Sequence, residues 1–308
     1  MARIGVVGAG RVGAVLAAAL RSAGHEIVSA AGESTASKTR IAELLPGVPG
    51  GKPTDVARGC DLLLLTVPDD MLENVVTMLV GSGAIRSGQF VCHTSGRHGL
   101  AVLDAATRIG ARPLAMHPAM TFTGTTVDLD RLAGTVFGVT AGDDDRAELE
   151  SLVTDLRGVP MWVPEDKRTL YHAGLAHGAN HLVTLVAQAM ELLAASGAED
   201  PAATLRPLLS AALDNALNSG DAALTGPIVR GDVNTVRTHL EQIGDTAPAT
   251  IPSYVAMAKA TADRAVLDGR LMPIRAVKIV RLLDEALARV EPAPARSEAR
   301  SEDRSERR

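Results

Sequence analysis

The sequence predicts an α/β protein: a doubly wound N-terminal domain with a mostly parallel sheet, followed by an all-α C-terminal domain. Three observations carry this expectation. Short apolar runs alternate with helical stretches up to about residue 164, the pattern of a parallel sheet covered on both faces. A glycine-rich turn leaves the first run and opens the first helix. Beyond residue 164 the strands stop and long Ala/Leu-rich segments take over.

The elements follow in order. "RIGVVG" (3–8) is a short buried strand, and 11–23 is an Ala- and Leu-rich helix. "HEIVSAA" (25–31) is the second strand. "DLLLLTVP" (61–68) is a continuous apolar run stopped by Pro68. "GQFVCHTSG" (88–96), "RPLAMHP" (112–118) and "GTVFGVT" (134–140) complete the strands. Helices are expected at about 36–45, 69–80, 99–109 and 144–157. After "MWVPEDK" the segments 167–196, 201–219, 232–243, 250–268 and 273–290 read as helices. The tail, 291–308, balances five acids with five arginines and has no Leu, Ile, Val or aromatic residue, so it is expected to be disordered.

Composition narrows the function classes. The 308 residues suffice for two domains and a sizeable core. Aromatics are only 2%, so Ala, Leu and Val must fill that core. The net charge is -5 and no basic patch with interleaved aromatics occurs, which argues against a nucleic-acid surface. Cys60 and Cys92 form no CxxC pair, so neither a disulfide framework nor a metal site is expected, and a reducing cytoplasm fits. The first apolar run is broken by glycines and does not read as a signal peptide. No run approaches the roughly 20 apolar residues of a membrane span.

"VVGAGRVG" places Gly8, Gly10 and Gly13 in the G-x-G-x-x-G spacing, between a strand and a helix. Gly8 permits the tight turn, Gly10 lets the backbone approach a pyrophosphate, and Gly13 packs helix on strand. With Ala9, Arg11 and Val12, the helix start offers N–H groups to phosphates. Residues 1–164 are therefore read as dinucleotide-binding and 165–290 as a helical substrate and dimerisation domain. At the end of the second strand Gly32 stands where an NAD site usually has an acid. Ser34, Ser37, Lys38 and Arg40 suit the 2′-phosphate of NADP, whereas Glu33 suits NAD. NADP is the expectation, with NAD left open.

The other strand ends add chemistry at the same sheet edge. Val67 and Pro68 are expected to meet the cofactor through their backbones, with Asp69 and Asp70 capping the next helix. His93 and Ser95 of "HTSG" are expected to face substrate at the nicotinamide end. "MHPAM" adds His117.

With "VPDD", "HTSG", "HP", "YHAG....N" and "LTGPIVRGD" in this order, nearly the whole chain resembles a bacterial Rossmann-like family whose helical C-terminal domain is of unknown function. That family is allied to ketopantoate reductase, 6-phosphogluconate and 3-hydroxyacid dehydrogenases, pyrroline-5-carboxylate reductase and prephenate dehydrogenase. The resemblance implies NAD(P)-dependent hydride transfer in a cleft between two domains, and a homodimer built through the helical one. It also implies that the first long helix of the second domain carries a Lys and an Asn four residues apart. The Asn matches Asn180, but the Lys position holds Ala176.

That helix, "RTLYHAGLAHGANHLVTL", carries His172, His177, Asn180 and His181. At about 100° per residue, Ala176 lies about 40° and Asn180 about 80° from His172, along one side. His177 and His181 fall on the opposite, polar face. A histidine, with an unperturbed pKa of about 6.5, is a usable proton donor near neutrality. The expected catalytic residues are thus His172 or His117 as acid, with Asn180 bonding the developing oxyanion. Arg230 in "LTGPIVRGD" is the candidate clamp for a substrate carboxylate. The reading is an NADP-dependent reductase of a small 2-keto acid, with ketopantoate implied first by the resemblance. Two alternatives stay open: a hydroxy-acid or prephenate-like dehydrogenase, and a non-catalytic dinucleotide sensor.

Overall fold

The structure is a computed structural model that describes residues 1–290. The tail expected to be disordered lies outside the described residues. The chain divides into two compact units, Met1–Asn180 and a second beginning at His181.

In the first unit seven strands form one sheet: β1 (Arg3–Val7), β2 (Glu26–Ala31), β3 (Leu62–Leu65), β4 (Phe90–His93), β5 (Arg112–Pro118), β6 (Val136–Ala141) and β7 (Val159–Trp162). Their order is β2-β1-β3-β4-β5-β6-β7. The first five run parallel, β6 runs antiparallel to β5, and β7 is parallel to β6. The helices are α1 (Arg11–Ser22), α2 (Thr35–Leu44), α3 (Pro53–Arg58), α4 (Leu72–Gly81), α5 (Asp104–Thr107), α6 (Val127–Arg131), α7 (Arg146–Asp155) and α8 (Arg168–Leu175).

All four leucines of β3 are buried, because the strand is central and covered on both faces. Alternate residues feed two cores. Ile4, Val6, Leu62, Leu64 and Leu114 pack with Val15, Leu16, Leu149 and Leu152 of α1 and α7. Val7, Leu63, Leu65 and Val91 pack with Val56, Val76 and Leu79 of α3 and α4.

Several features depart from the sequence expectation. First, β7 was not expected. It is a short edge strand holding Pro160, with alternate residues exposed, so neither an apolar run nor a clean alternation marks it. Second, β6 runs antiparallel to β5, across a connection whose one helix is the five-residue α6. Third, the unit boundary falls after Asn180, not near 164, because α8 stays anchored to the sheet by Arg168, which donates to Ser95 O, Gly138 O and Thr140 Oγ1. The expected 99–109 helix is a 3-10 turn (Leu100–Leu103) followed by the four-residue α5.

The expected helix 167–196 is interrupted. Between α8 and α9 (His181–Ala195) lies a π-helical turn, Ala176–Asn180. Its i→i+5 bonding breaks the constant 100° step, so the angular position computed for Asn180 does not hold. The second unit continues with α10 (Pro201–Ser219), α11 (Pro227–Arg230), α12 (Val233–Thr246), α13 (Ile251–Leu267) and α14 (Pro273–Val290). Its core gathers Val236, Leu240, Val255, Ala262, Ile279 and Leu283. Asp232 caps α12 by accepting from Thr235 N, as its sequence position implies. Among the described residues no helix is long and apolar enough to cross a membrane.

The glycine turn after β1 is built as its spacing implies. Gly8 has φ +98°, and a Cβ there would lie 2.7 Å from Thr66 C and Val67 N. A Cβ on Gly13 would strike Thr66 Oγ1 and come within 2.8 Å of Gly8 O. Thr66 Oγ1 itself donates to Gly8 O at 2.6 Å, locking β3 to the turn. Gly13→Ala should therefore destabilise the first unit by about 1–3 kcal/mol. Urea denaturation of a double-mutant cycle checks the cause: with Thr66→Ala the loss should be clearly less than additive. An additive result would move the strain away from Thr66.

Candidate active site

The strand order reverses at β1, between β2 and β3, and in open α/β sheets ligands bind outside the strand ends at such a point. Gly10 lies there. Its φ is -79°, open to any residue, and the nearest atom to a Cβ built on it is Gly8 O at 3.7 Å, an ordinary contact. Protein packing thus demands Gly8 and Gly13 but leaves Gly10 facing open space. The N–H groups of Gly8 and Ala9 bond Ala31 O, and that of Gly10 bonds Gly8 O. Ala9 therefore packs the turn and donates inward. The first backbone bond of α1 runs from Ala14 N to Gly10 O, leaving Arg11, Val12 and Gly13 N–H ahead of it. No side chain caps α1 and no acid sits in its first turn, so this terminus is suited to an anion.

At the end of β2, a Cβ on Gly32 would lie 2.7 Å from Ser37 Cβ, so no acid fits where an NAD site usually has one. Ser34 Oγ caps α2 by accepting from Ser37 N at 3.1 Å, and Lys38 is exposed beside it. Val67 is half-buried, with its backbone N against Gly8, while Pro68 is exposed. Asp69 and Asp70 do not cap α4: its N-cap is Met71, with no side-chain cap, and Asp69 instead pairs with Arg97 at 3.3 Å.

A second cluster forms at the ends of β4 and β5. His117 Nδ1 bonds Tyr171 OH at 3.0 Å, and its ring stands edge-on to His172, centroids 5.9 Å apart. Gly96 makes room for both: a Cβ there would lie 2.5 Å from His172 Cδ2 and 3.0 Å from His117 Nε2. Gly138 does the same for Tyr171, whose Cζ would lie 2.5 Å from a Cβ. Beneath them Arg168 is buried, held by carbonyls and a hydroxyl, with its Nε lacking a partner among the described residues.

Burial, the Arg168 charge and the neighbouring His172 push the His117 pKa down to about 4. Burial raises that of Tyr171, opposed by the Arg168 charge and the Gly138 backbone. His117 is therefore neutral at pH 7 and Tyr171 protonated.

The structure brings His117 and His172, the two candidate acids, together. It does not support a substrate role for His93. Both His93 nitrogens are used, Nε2 with Gly99 O at 2.8 Å and Nδ1 accepting from Ser95 N at 3.1 Å, and the ring is fully buried. Ser95 is equally committed, its Oγ accepting from His98 N and its carbonyl from Arg168. Both residues build the turn that holds Gly96. Asn180 is exposed in the π-helical turn, and Arg230 is exposed at the end of α11 in the second unit. Arg168 and Tyr171 were missed by the sequence reading. Their signal was weak: both sit at the start of a helix whose apolar period drew attention to the histidines instead.

Residues 1–118 match the Rossmann-like domain family, and residues 135–261 match the domain of unknown function DUF2520. No curated protein sequence matches the chain. Among solved structures, a candidate NADP oxidoreductase from Bacteroides fragilis is 21% identical, with a TM-score of 0.74, covering 85% of this chain and 98% of its own. A reductive aminase from Aspergillus terreus, in complex with NADPH and ethyl levulinate, is 16% identical, with a TM-score of 0.60 and 94% of each chain covered. A pyrroline carboxylate reductase from Plasmodium falciparum with NADP bound is 12% identical, with a TM-score of 0.56, covering 91% of this chain and 98% of its own. At these identities the shared property is the fold.

The neutral imidazoles make stability pH-dependent. Burial, outweighing the bond to Gly99 O and aided by the Arg168 charge, lowers the His93 pKa from 6.5 to about 4. A depressed folded-state pKa contributes stability that is present above the unfolded value and lost as pH falls toward the folded one. Urea denaturation should therefore show stability falling between pH 6.5 and 4, by on the order of 3 kcal/mol for His93. His93→Gln should flatten that slope while lowering stability at pH 7. An unchanged slope would mean His93 protonates without cost.

Proposed function

We propose, for a chain that joins a Rossmann-like domain to a DUF2520 domain, an NADP-dependent oxidoreductase that reduces a small carboxylate-bearing substrate. The observation that carries this reading is Gly10, a glycine that the protein's own packing does not require, at the open N-terminus of α1. The pyrophosphate would lie against Gly10 and the N–H groups of Arg11, Val12 and Gly13. Ser34, Lys38 and Arg40 supply the hydroxyl and cations for a 2′-phosphate, and the crowding at Gly32 disfavours the acid of an NAD site. NADPH, when bound, supplies the hydride.

The remaining work falls to side chains. Tyr171 donates its hydroxyl proton to His117 Nδ1, which leaves His117 Nε2–H turned toward Gly96 and His172. A neutral imidazole so held is a fixed hydrogen-bond donor for the atom that gains charge as hydride arrives. His172 is the proton donor beside it, and Asn180 is a further candidate donor to the same atom. Arg230 is kept as the candidate clamp for the substrate carboxylate.

A 2-keto acid is the first substrate class to assay, with ketopantoate at its head. A second reading is favoured by the lack of a lysine at Ala176 and by the neutral His117. A protonated C=N group needs no strong acid to accept hydride, so a cyclic imine acid or a carbonyl-plus-amine pair fits the same donors. Two of the similar structures are described as a pyrroline carboxylate reductase and a reductive aminase. Oxidation of a hydroxy acid is the reverse of the first reaction.

A panel of keto acids and cyclic imino acids with NADPH, followed at the nicotinamide absorbance, tests this. His172→Gln should lower kcat by about 100-fold or more on a keto acid and less on an imine. Asn180→Ala should cost about 100-fold on either if it meets the reacting atom. Gly10→Val should fold normally yet lose NADPH binding. Tight NADPH binding with no turnover of any substrate would favour a dinucleotide sensor.

The assembly we propose is a homodimer formed through the helical unit. Val183, Leu208 and Leu217 of α9 and α10 are 71%, 65% and 77% exposed, an unusual apolar load for a free surface. A second copy of the chain is the occupant that the reading requires. Light scattering should give twice the chain mass at micromolar concentration. Leu208→Glu with Leu217→Glu should yield a folded monomer; a monomeric wild type would overturn the assembly.

A further inference from the structure

The loop between β5 and β6 does more than connect them. Gly124, with φ +80°, sits where a Cβ would lie 2.7 Å from Arg40 Nε, 3.1 Å from Arg40 Cδ and 2.9 Å from Arg11 Cγ. Two arginines from different helices, the first residue of α1 and a residue of α2, thus pack over one glycine of a third element. Among the described residues neither arginine has a salt bridge, and Lys38 has none either.

The loop is held by a buried carboxylate. Asp128 is fully buried, accepts from Gly124 N at 2.7 Å and from Thr123 Oγ1 at 3.0 Å, and lies 3.8 Å from Arg131. Burying a carboxylate is costly unless it is well bonded, so the surface turn it fixes is held in one conformation. That conformation is left-handed at Gly124 and leaves no room for a side chain.

We infer that the Thr123–Gly124 turn, anchored by Asp128, is a specificity-determining element: it seats Arg11 and Arg40 so that both guanidiniums serve the 2′-phosphate of NADP. The inference rests on the NADP reading above and adds to it a loop remote in sequence from the β2 end. Ser34 and Lys38 mark the phosphate site from one side, and the seated arginines close it from the other. Two cationic side chains pack at this turn, and a dianionic phosphate is the ligand whose charge they match. A ligand with a free ribose diol gains nothing from the seating.

The test compares NADPH and NADH by nicotinamide fluorescence titration, with thermal melting as the fold control. Gly124→Ala should displace both arginines and weaken NADPH about 10-fold or more, the loss typical of charged hydrogen bonds, while NADH changes little. Asp128→Asn, which keeps the shape and weakens the anchor, should move the NADPH-to-NADH ratio the same way by less. Arg40→Leu should reproduce the selective loss with the loop untouched. A wild type that prefers NADPH, together with a Gly124→Ala protein that melts normally and keeps that preference, overturns the loop inference alone. An equal loss of both cofactors in Gly124→Ala also overturns it and assigns the turn a purely structural role. A wild type that binds NADH as tightly as NADPH overturns the NADP reading and the loop inference with it.

Discussion

The first unit depends on a buried guanidinium that has no carboxylate partner among the described residues. Arg168 reaches from α8 to Ser95 O after β4 and to Gly138 O and Thr140 Oγ1 on β6. It sutures three elements that no short-range sequence signal connects. Burial lowers its pKa, against the pull of Tyr171, Glu165 and other nearby groups, yet a guanidinium stays charged at any ordinary pH. The charge is therefore spread over oriented carbonyl dipoles, in a setting where an ion pair would have quenched it.

That unquenched charge shapes what surrounds it. After burial, it is the next influence keeping His117 neutral, and it also disfavours protonation of His93. One imidazole becomes a locked turn element and the other stands edge-on to His172. The same residue type, at the ends of adjacent strands, is placed in two different settings by which nitrogens the backbone claims first. His93 has Gly99 O and Ser95 N within reach, whereas among the described residues His117 bonds the Tyr171 hydroxyl. The motif spelling alone cannot separate them.

Legibility followed the same line. The glycine turn, the parallel strands of the first half and the helical second half were readable because each is governed by local periodicity or a short spacing. β6 was located but not its direction, which no local periodicity encodes. β7 was hidden by Pro160 and an edge position. Arg168 and Tyr171 read as ordinary polar residues of a helix start, since only the sheet they dock on makes them special. The π-helical turn is invisible to any analysis that assumes a constant angular step, and it displaced the reading of Asn180 for that reason alone.

Gly96 occupies the space between two imidazoles where even a methyl group would intrude. The consequence is evolutionary. Positions 96, 117 and 172 share one small volume and can change only in concert. A lineage that gains a side chain at 96 must first shrink or withdraw a ring, giving up the paired imidazoles. A lineage that keeps both histidines is confined to glycine there. The strand-end "HTSG" is thereby tied to residues far downstream: its glycine, carrying no functional group, reports whether the two rings are still present.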